Sequence, residues 1–555
     1  MTITESHRSP AMDPEELLQR LLDAEKAQPL KTGRQVFVNR NLDLSQVSWV
    51  GFDMDYTLAI YKRLPMEELQ YQLTMEKLIT KKGYPAEIRN LPYDLPFVIR
   101  GLVVDKARGN VLKLDAHGSV GRGYHGRAAL GPERLRELYR SVAIRLSNSK
   151  RFASLDTLFS MPETGLYANL VEFFEAHAAA GGNVGPLQRN GEYAALLETV
   201  VTPAEAADVL GNTPPIDYFR LFDDVRECID EAHRDESLKS IIKQDLGRYI
   251  FSDPELPLTL HKLRSSGKKL FLLTNSHWDY TNHVMNFLLE GHIGEYPSWR
   301  HFFDVVVVGS GKPRFFTETP PFQELDPATG DKRPIHNPTR FERGKVYLGG
   351  NIREFESRAG ANGDEILYVG DHIYGDILRS KKNHLWRTAL VVQELEEEIG
   401  LVESHRGQLW LVQELDRKSA ELEELTAHRK AILARLEQDA GASELPPGVD
   451  DSTREQAARV LRKRLDQEKR EARNVTLEAA RIEAEVVRVL NPYWGMVFKE
   501  AHELSRFGEQ VEDYACIYTS RVSNLLYYSP MHHFRSPRNQ MHHERLALAG
   551  ERRNV

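Results

Sequence analysis

Asp53 and Asp55 stand one residue apart where the apolar run of "VGFDMDYTLAIYK" (50–62) breaks into a polar turn. Burying even one bare carboxylate is costly, so two acids carried out of a buried strand need a chemical reason. At a strand end the chain turns, so one carboxylate can reach a metal and a substrate while its neighbour reaches a leaving group. Mg²⁺ takes oxygen ligands, usually one or two protein carboxylates with substrate phosphate and water. Asp371 in "YVGDHIYGD" ends another apolar run and offers the second carboxylate, with Asp376 as a supporting acid. Thr274 and Asn275 in "LLTNS" add hydroxyl and amide donors at a further strand end, and Lys312 in "GSGKPR" adds a cation. Phosphoryl transfer depends mostly on positioning and on neutralising oxygen charge, so a carboxylate nucleophile, these donors, a lysine and Mg²⁺ form a sufficient set. Taken singly each residue is an ordinary turn former or cap; their joint placement after apolar runs carries the reading.

The elements that must position them are strands. The runs "KKLFLLTNS" (268–276), "FFDVVVVGSGKP" (302–313) and "DEILYVGDHIYGDI" (364–377) are apolar or β-branched and stop at Thr, Asn, Gly or Asp. Separated by helical patterns such as "ELPLTLHKLRSSG", they predict an α/β fold with a doubly wound parallel sheet whose polar groups collect at its carboxyl edge. Residues 63–247 are far too many for a crossover and predict an inserted domain. Leu411, Leu415, Leu422, Leu425, Ile432 and Leu436 form a heptad-like seam interrupted by Lys418 and Arg429, and a second charged helical run follows at 453–490, which predicts an antiparallel helical hairpin. The expected organisation is a tail and helix over 1–34, a core from 35–62 and 248–400, the inserted domain over 63–247, the hairpin over 401–490, C-terminal helices packing on the core over 491–535, and a tail over 536–555.

Composition narrows the class. Among 555 residues, 41% are hydrophobic and 28% charged, and no apolar run approaches the ~20 residues of a membrane span. The start lacks the basic and apolar regions of a secretory signal, which argues for a cytoplasmic protein. Two cysteines, Cys228 and Cys516, are too few for a disulfide framework and read as buried thiols. A net charge of −8 argues against nucleic acid as a partner. "GSGKPR" is neither a dinucleotide fingerprint nor a P-loop, "HELSR" lacks the second histidine of a zinc-protease helix, and His532-His533 and His542-His543 read as surface pairs.

The strings "DMDYT", "LLTNS", "GKPRFF" and "GDHIYGDI" resemble, in order, the four motifs of the haloacid dehalogenase superfamily of phosphohydrolases. More narrowly, "GFDMDYTLAIYK", "LFSMPET", "GDHIYGDILRSKK", "WRT" and "NLLYY" resemble the cytosolic purine 5'-nucleotidases (type II), over about residues 35–530. The resemblance implies a core sheet with an inserted cap. In it Asp53 is the nucleophile and Asp55 the acid and base; Asp53, Asp371 and the backbone carbonyl of Asp55 hold Mg²⁺, and Thr274, Asn275 and Lys312 hold phosphate. Arg226, Asp230 and His233, spaced by four and three, share one helix face. The resemblance places them and Lys239 on the purine, with Phe159 stacking on it, while Arg234 replaces a tyrosine of the pattern. An arginine facing purine O6 and N7 favours IMP and GMP.

The resemblance also implies a homo-oligomer and an activating nucleotide site that includes Tyr374, Lys382, Gln510 and Tyr514. Asp156 and Asp513 replace an asparagine and an arginine there, so weak activation by ATP is expected. The same aspartyl-phosphate could pass its phosphoryl group to another nucleoside. Two alternatives stay open at this stage: a phosphatase of another phosphorylated metabolite, and a scaffolding protein that keeps the fold without turnover.

Overall fold

The computed structural model describes residues 30–140, 142, 144–335, 339–378, 385–437, 449–538 and 544, without the side chains of 374, 377 and 378. It is a mixed α/β protein that divides into two units, one of residues 1–60, 251–396 and 514–555, the other of 61–250 and 397–513. Among the described residues no helix is long and apolar enough to cross a membrane.

The first unit is built on ten strands: β1 Phe37–Val38, β2 Trp49–Phe52, β3 Lys269–Leu273, β4 Val305–Val308, β5 Phe322–Leu325, β6 Lys332–Pro334, β7 Val346–Gly349, β8 Ile366–Gly370, β9 Arg387–Val391 and β10 Ile517–Thr519. They lie in the order β1-β10-β9-β8-β2-β3-β4-β7-β5-β6. From β10 to β7 every neighbouring pair is parallel, while β1, β5 and β6 join antiparallel at the edges. β2, β4 and β8 are buried along their whole length, the pattern of strands covered on both faces. The order runs upward on one side of β2 and starts again from β8 on the other, so β2 flanks the switch point where open α/β sheets leave a crevice beyond their carboxyl ends. One face carries a largely aromatic core of Trp49, Phe271, Phe316, Tyr347, Phe355, Tyr368 and Trp386. Gly51 sits in register between Phe271 and Tyr368. A Cβ there would lie 2.0 Å from the Phe271 ring, so only glycine lets those two rings stack across it, 6.1 Å apart.

Over 491–535, where helices were expected, the chain forms a helix at Arg506–Tyr514, then β10, then a 3-10 turn at Val522–Tyr527. The β-branched Ile517 and Thr519 take up pairing with β9, which offers a free edge that a helix could not satisfy.

In the second unit, the helix Tyr218–Arg234 is capped by Asp217, whose carboxylate accepts from the Arg220 amide at 2.9 Å. It buries Leu221, Val225, Cys228 and Ala232 and turns Arg226, Asp230 and His233 to the adjoining face. Helices Arg63–Lys82 and Met161–Ala179 pack against it. A five-stranded antiparallel sheet of Leu102–Asp105, Asn110–Leu114, Val120–His125, Ala128–Ala129 and Phe152–Ser154 completes this part. Both cysteines, one in each unit, are buried free thiols.

Two long helices, Arg406–Glu437 and Asp451–Leu490, run antiparallel, with Lys418 paired to Glu471 at 2.7 Å and Arg462 to Glu437 at 2.6 Å. The buried seam is Val412 and Thr426 against Ala458, Leu465, Val475, Ala479, Ile482 and Val486. Of the expected seam, Leu415, Leu422 and Leu436 are half-buried in line with Val412 and Thr426, whereas Leu411, Leu425 and Ile432 are exposed. Lys418 belongs to the same seven-residue row as those three, and turning that row outward keeps its ammonium solvated.

Candidate active site

Asp53 follows the last residue of β2 and is fixed by the sheet itself, its amide donating to Val369 O of β8 at 2.9 Å. Its Oδ1 accepts from the Met54 amide at 2.7 Å, and Lys312 Nζ stands 2.9 Å from its Oδ2. Both carboxylate oxygens are thereby aimed. Three residues on, Tyr56 adopts φ 55°, a left-handed conformation that costs an L-residue roughly 1–2 kcal/mol. Its carbonyl accepts from Gln393 Nε2 at 3.1 Å, which helps to hold the turn. The turn presents Asp55, whose Oδ2 accepts from Ser276 Oγ at 2.8 Å.

Thr274 follows β3 and is fully buried; its Oγ1 accepts from the Ser276 amide at 3.1 Å. Asn275 is exposed, and its amide binds the loop after β4 at both ends. Oδ1 accepts from Ser310 Oγ at 2.9 Å and from Lys312 N at 2.6 Å, and Nδ2 donates to Lys312 O at 3.1 Å. Its visible work is to fix the backbone that carries Lys312.

The Lys312 side chain is only 4% exposed and reaches Asp376 Oδ1 at 2.7 Å as well as Asp53. It also donates to the Tyr368 hydroxyl at 2.9 Å, which donates in turn to Leu273 O at 3.1 Å. Asp376 lies on a π-helical turn, Ile373–Leu378, directly after β8. Gly370 makes its approach possible, since a Cβ there would lie 2.6 Å from Asp376 Oδ2. Asp53, Asp371 and Asp376 each bring an oxygen within 4.8 Å of the others, and all three are buried.

The electrostatics follow from that crowding. Burial pushes the Asp53 carboxyl up to about 7, with Lys312 opposing the shift and Asp376 and Asp55 adding to it. Burial works to lower the Lys312 ammonium, yet Asp376 and Asp53 outweigh it and hold its pKa well above the ordinary lysine value. One ammonium faces three buried carboxylates, so the cluster keeps an excess of negative charge. A hard, oxygen-seeking divalent cation fits that donor set, and a soft metal does not.

In the second unit, Phe159 packs edge-on against His233 with ring centroids 5.2 Å apart. Burial, aided by Lys239, lowers the His233 pKa to about 4, so its ring is neutral at pH 7. Arg226 is paired through Nε with Glu163 Oε1. Asp230 lies exposed one turn further along. Thus Asp53, Asp55, Thr274, Asn275, Lys312, Asp371 and Asp376 gather at one sheet edge, and Phe159, Arg226, Asp230, His233 and Lys239 lie in the other unit. Of the expected effector residues, Lys382 and the Tyr374 side chain lie outside the described residues, while Gln510 and Tyr514 belong to different units.

The chain matches the 5' nucleotidase family over residues 36–546. It belongs to that family. It is 28% identical over 522 residues to a 5'-nucleotidase domain-containing protein of Dictyostelium discoideum, covering 93% of this chain and 76% of the relative. It is 27% identical over 522 residues to the 5'-nucleotidase domain-containing protein 2 of Rattus norvegicus, covering 92% of this chain and 80% of the relative. Family membership supports a phosphoric monoester hydrolase acting on nucleotide monophosphates in general.

Sequence reasoning passed over four residues of these sites. Tyr368 reads as one more aromatic in an apolar strand, and Ser276 and Ser310 as turn residues. Glu163 lies within the quoted "LFSMPET" and reads as a first-turn helix acid. Position was the available signal: Ser276 is two residues past Thr274 and Tyr368 three before Asp371.

Proposed function

We propose that the protein is a Mg²⁺-dependent hydrolase of purine nucleoside 5'-monophosphates, IMP and GMP preferred, acting through an aspartyl-phosphate on a haloacid dehalogenase-like core with an inserted cap. The observation that carries this is Asp53 at the carboxyl end of the central parallel strand, 2.9 Å from Lys312 and grouped with Asp371 and Asp376. Asp53 Oδ attacks phosphorus, the bond to the nucleoside O5' breaks, and Asp55 gives its proton to that oxygen. Asp55 then takes a proton from water as it attacks the aspartyl-phosphate, which releases phosphate and restores Asp53. Ser276 keeps the Asp55 carboxyl turned for both transfers. Lys312 and Thr274 receive the phosphate oxygens, and Asn275 holds the Lys312 loop. Mg²⁺, held by Asp53, Asp371 and the Asp55 carbonyl with Asp376 in support, supplies neutralisation of phosphate charge. Phe159, Arg226, Asp230, His233 and Lys239 are the residues proposed to meet the base.

The test is phosphate release from IMP, GMP, AMP, CMP and UMP, with Mg²⁺ and with chelator. The expected result is turnover of IMP and GMP at least tenfold above the pyrimidine nucleotides, abolished by chelation. Equal rates on all five, or turnover that survives chelation, would overturn the reading; release only from a non-nucleotide phosphoester would point to another metabolite.

A further inference from the structure

Glu163 lies in the first turn of the helix Met161–Ala179 and is 2% exposed at its side chain, yet the cation it binds is not buried with it. The Arg226 side chain is 41% exposed. Its Nε is taken by Glu163, and its Cζ lies 5.3 Å from the centre of the Phe222 ring. Lys106 Nζ lies the same 5.3 Å from that ring. The guanidinium is therefore fixed along one edge and one face. Among the described residues its two terminal nitrogens have no hydrogen-bond partner.

That asymmetry is unlike a structural ion pair. Replacing both members of a buried pair by apolar side chains is often neutral, whereas removing one leaves the other charge uncompensated. Desolvation acts on both partners, and at Arg226 the carboxylates of Glu163, Asp230 and Asp156 outweigh it, but the acid is the more deeply buried, 2% exposed against 41%. Burial pushes the Glu163 carboxyl up to about 7, against the pull of Arg226, and Asp230 adds to the rise. The return on that cost is geometric. An unrestrained arginine spreads over many rotamers, and holding it at Nε before a ligand arrives leaves a planar fork of N–H donors in one orientation. Such a fork matches two adjacent acceptors, the O6 and N7 of a 6-oxopurine, and meets a donor where adenine carries its amino group.

Resting on the purine reading of Arg226 above, we propose that Glu163 is a positioning residue that fixes the Arg226 fork and so sets the preference for 6-oxo over 6-amino purines. It touches no substrate itself.

The experiment measures kcat and KM for IMP, AMP and p-nitrophenyl phosphate in the parent, Glu163→Gln and Glu163→Leu. Glutamine keeps the shape without the charge. Leucine fills the buried site with an apolar side chain and leaves the part-exposed Arg226 to water, so a merely structural loss would lower all three substrates together. In both variants the ratio of kcat/KM for IMP to that for p-nitrophenyl phosphate is expected to fall about tenfold, mostly through KM, and the IMP-to-AMP ratio to fall with it. A uniform loss on all three substrates, or Glu163→Leu restoring parental selectivity, would overturn the inference while leaving the purine reading intact. A parent enzyme with no preference for IMP over AMP would instead strike at the reading beneath it. Should Glu163→Gln fail to fold, Glu163→Leu decides alone.

Discussion

Asp53→Asn is expected to remove nearly all turnover and leave the fold in place. The amide is close in size to the carboxylate and can still accept from the Met54 amide, so β2 and its turn keep their anchors. It is a poor nucleophile, and no other carboxylate at this edge is both aimed by Lys312 and set at the end of β2. Loss of a nucleophile costs on the order of 10³-fold or more, about 4 kcal/mol in the barrier. Activity above about a tenth of the parent's would sink the assignment. Asp55→Asn separates the steps: with leaving-group protonation and water attack both slowed, a phosphoenzyme labile to hydroxylamine should accumulate there and be absent in Asp53→Asn.

Much of this edge was legible because strand ends announce themselves. Valines 305–308 and the run before Asp371 stop abruptly at polar residues, and a parallel sheet sends every such stop to the same side. Where the sequence was silent, the cause is distance along the chain. β10 pairs with β9 across more than a hundred residues, and Ser276 reaches Asp55 from a strand end on the far side of the inserted segment. Tyr368 shows a different limit: its ring belongs to the core and its hydroxyl to the site, and alternation along a strand reveals only the first. The helical hairpin was legible in kind, and so was half of its seam: Leu415, Leu422 and Leu436 lie on it, while Leu411, Leu425 and Ile432, counted as seam, share the outward row of Lys418.

The second large effect concerns Lys312. Replacing it with methionine keeps the length and removes the charge, so Asp53 and Asp376 lose their shared buried partner and Tyr368 loses a donor. Breaking a buried pair by deleting one member typically costs about 3–5 kcal/mol, because the other charge stays behind in a poor solvent. The pH dependence separates that penalty from catalysis. Asp53 is raised above its unfolded value, so between about pH 4 and 7 the folded state holds a proton that the unfolded state has released. Stability from this group is present below that window and declines as pH rises through it. Without Lys312 the charged carboxylates are dearer still, so the stability deficit of Lys312→Met should be largest near pH 8 and narrow toward pH 5. The lysine's own pKa lies far above this range, so its charge is constant across it. Turnover should not follow the recovery, since protonating Asp53 relieves the fold but disables the nucleophile. Thermal unfolding of both proteins at pH 5, 6, 7 and 8, beside their IMP rates, tests this directly. A deficit independent of pH would show that Lys312 stabilises the site by packing and does not act through the charges of Asp53 and Asp376.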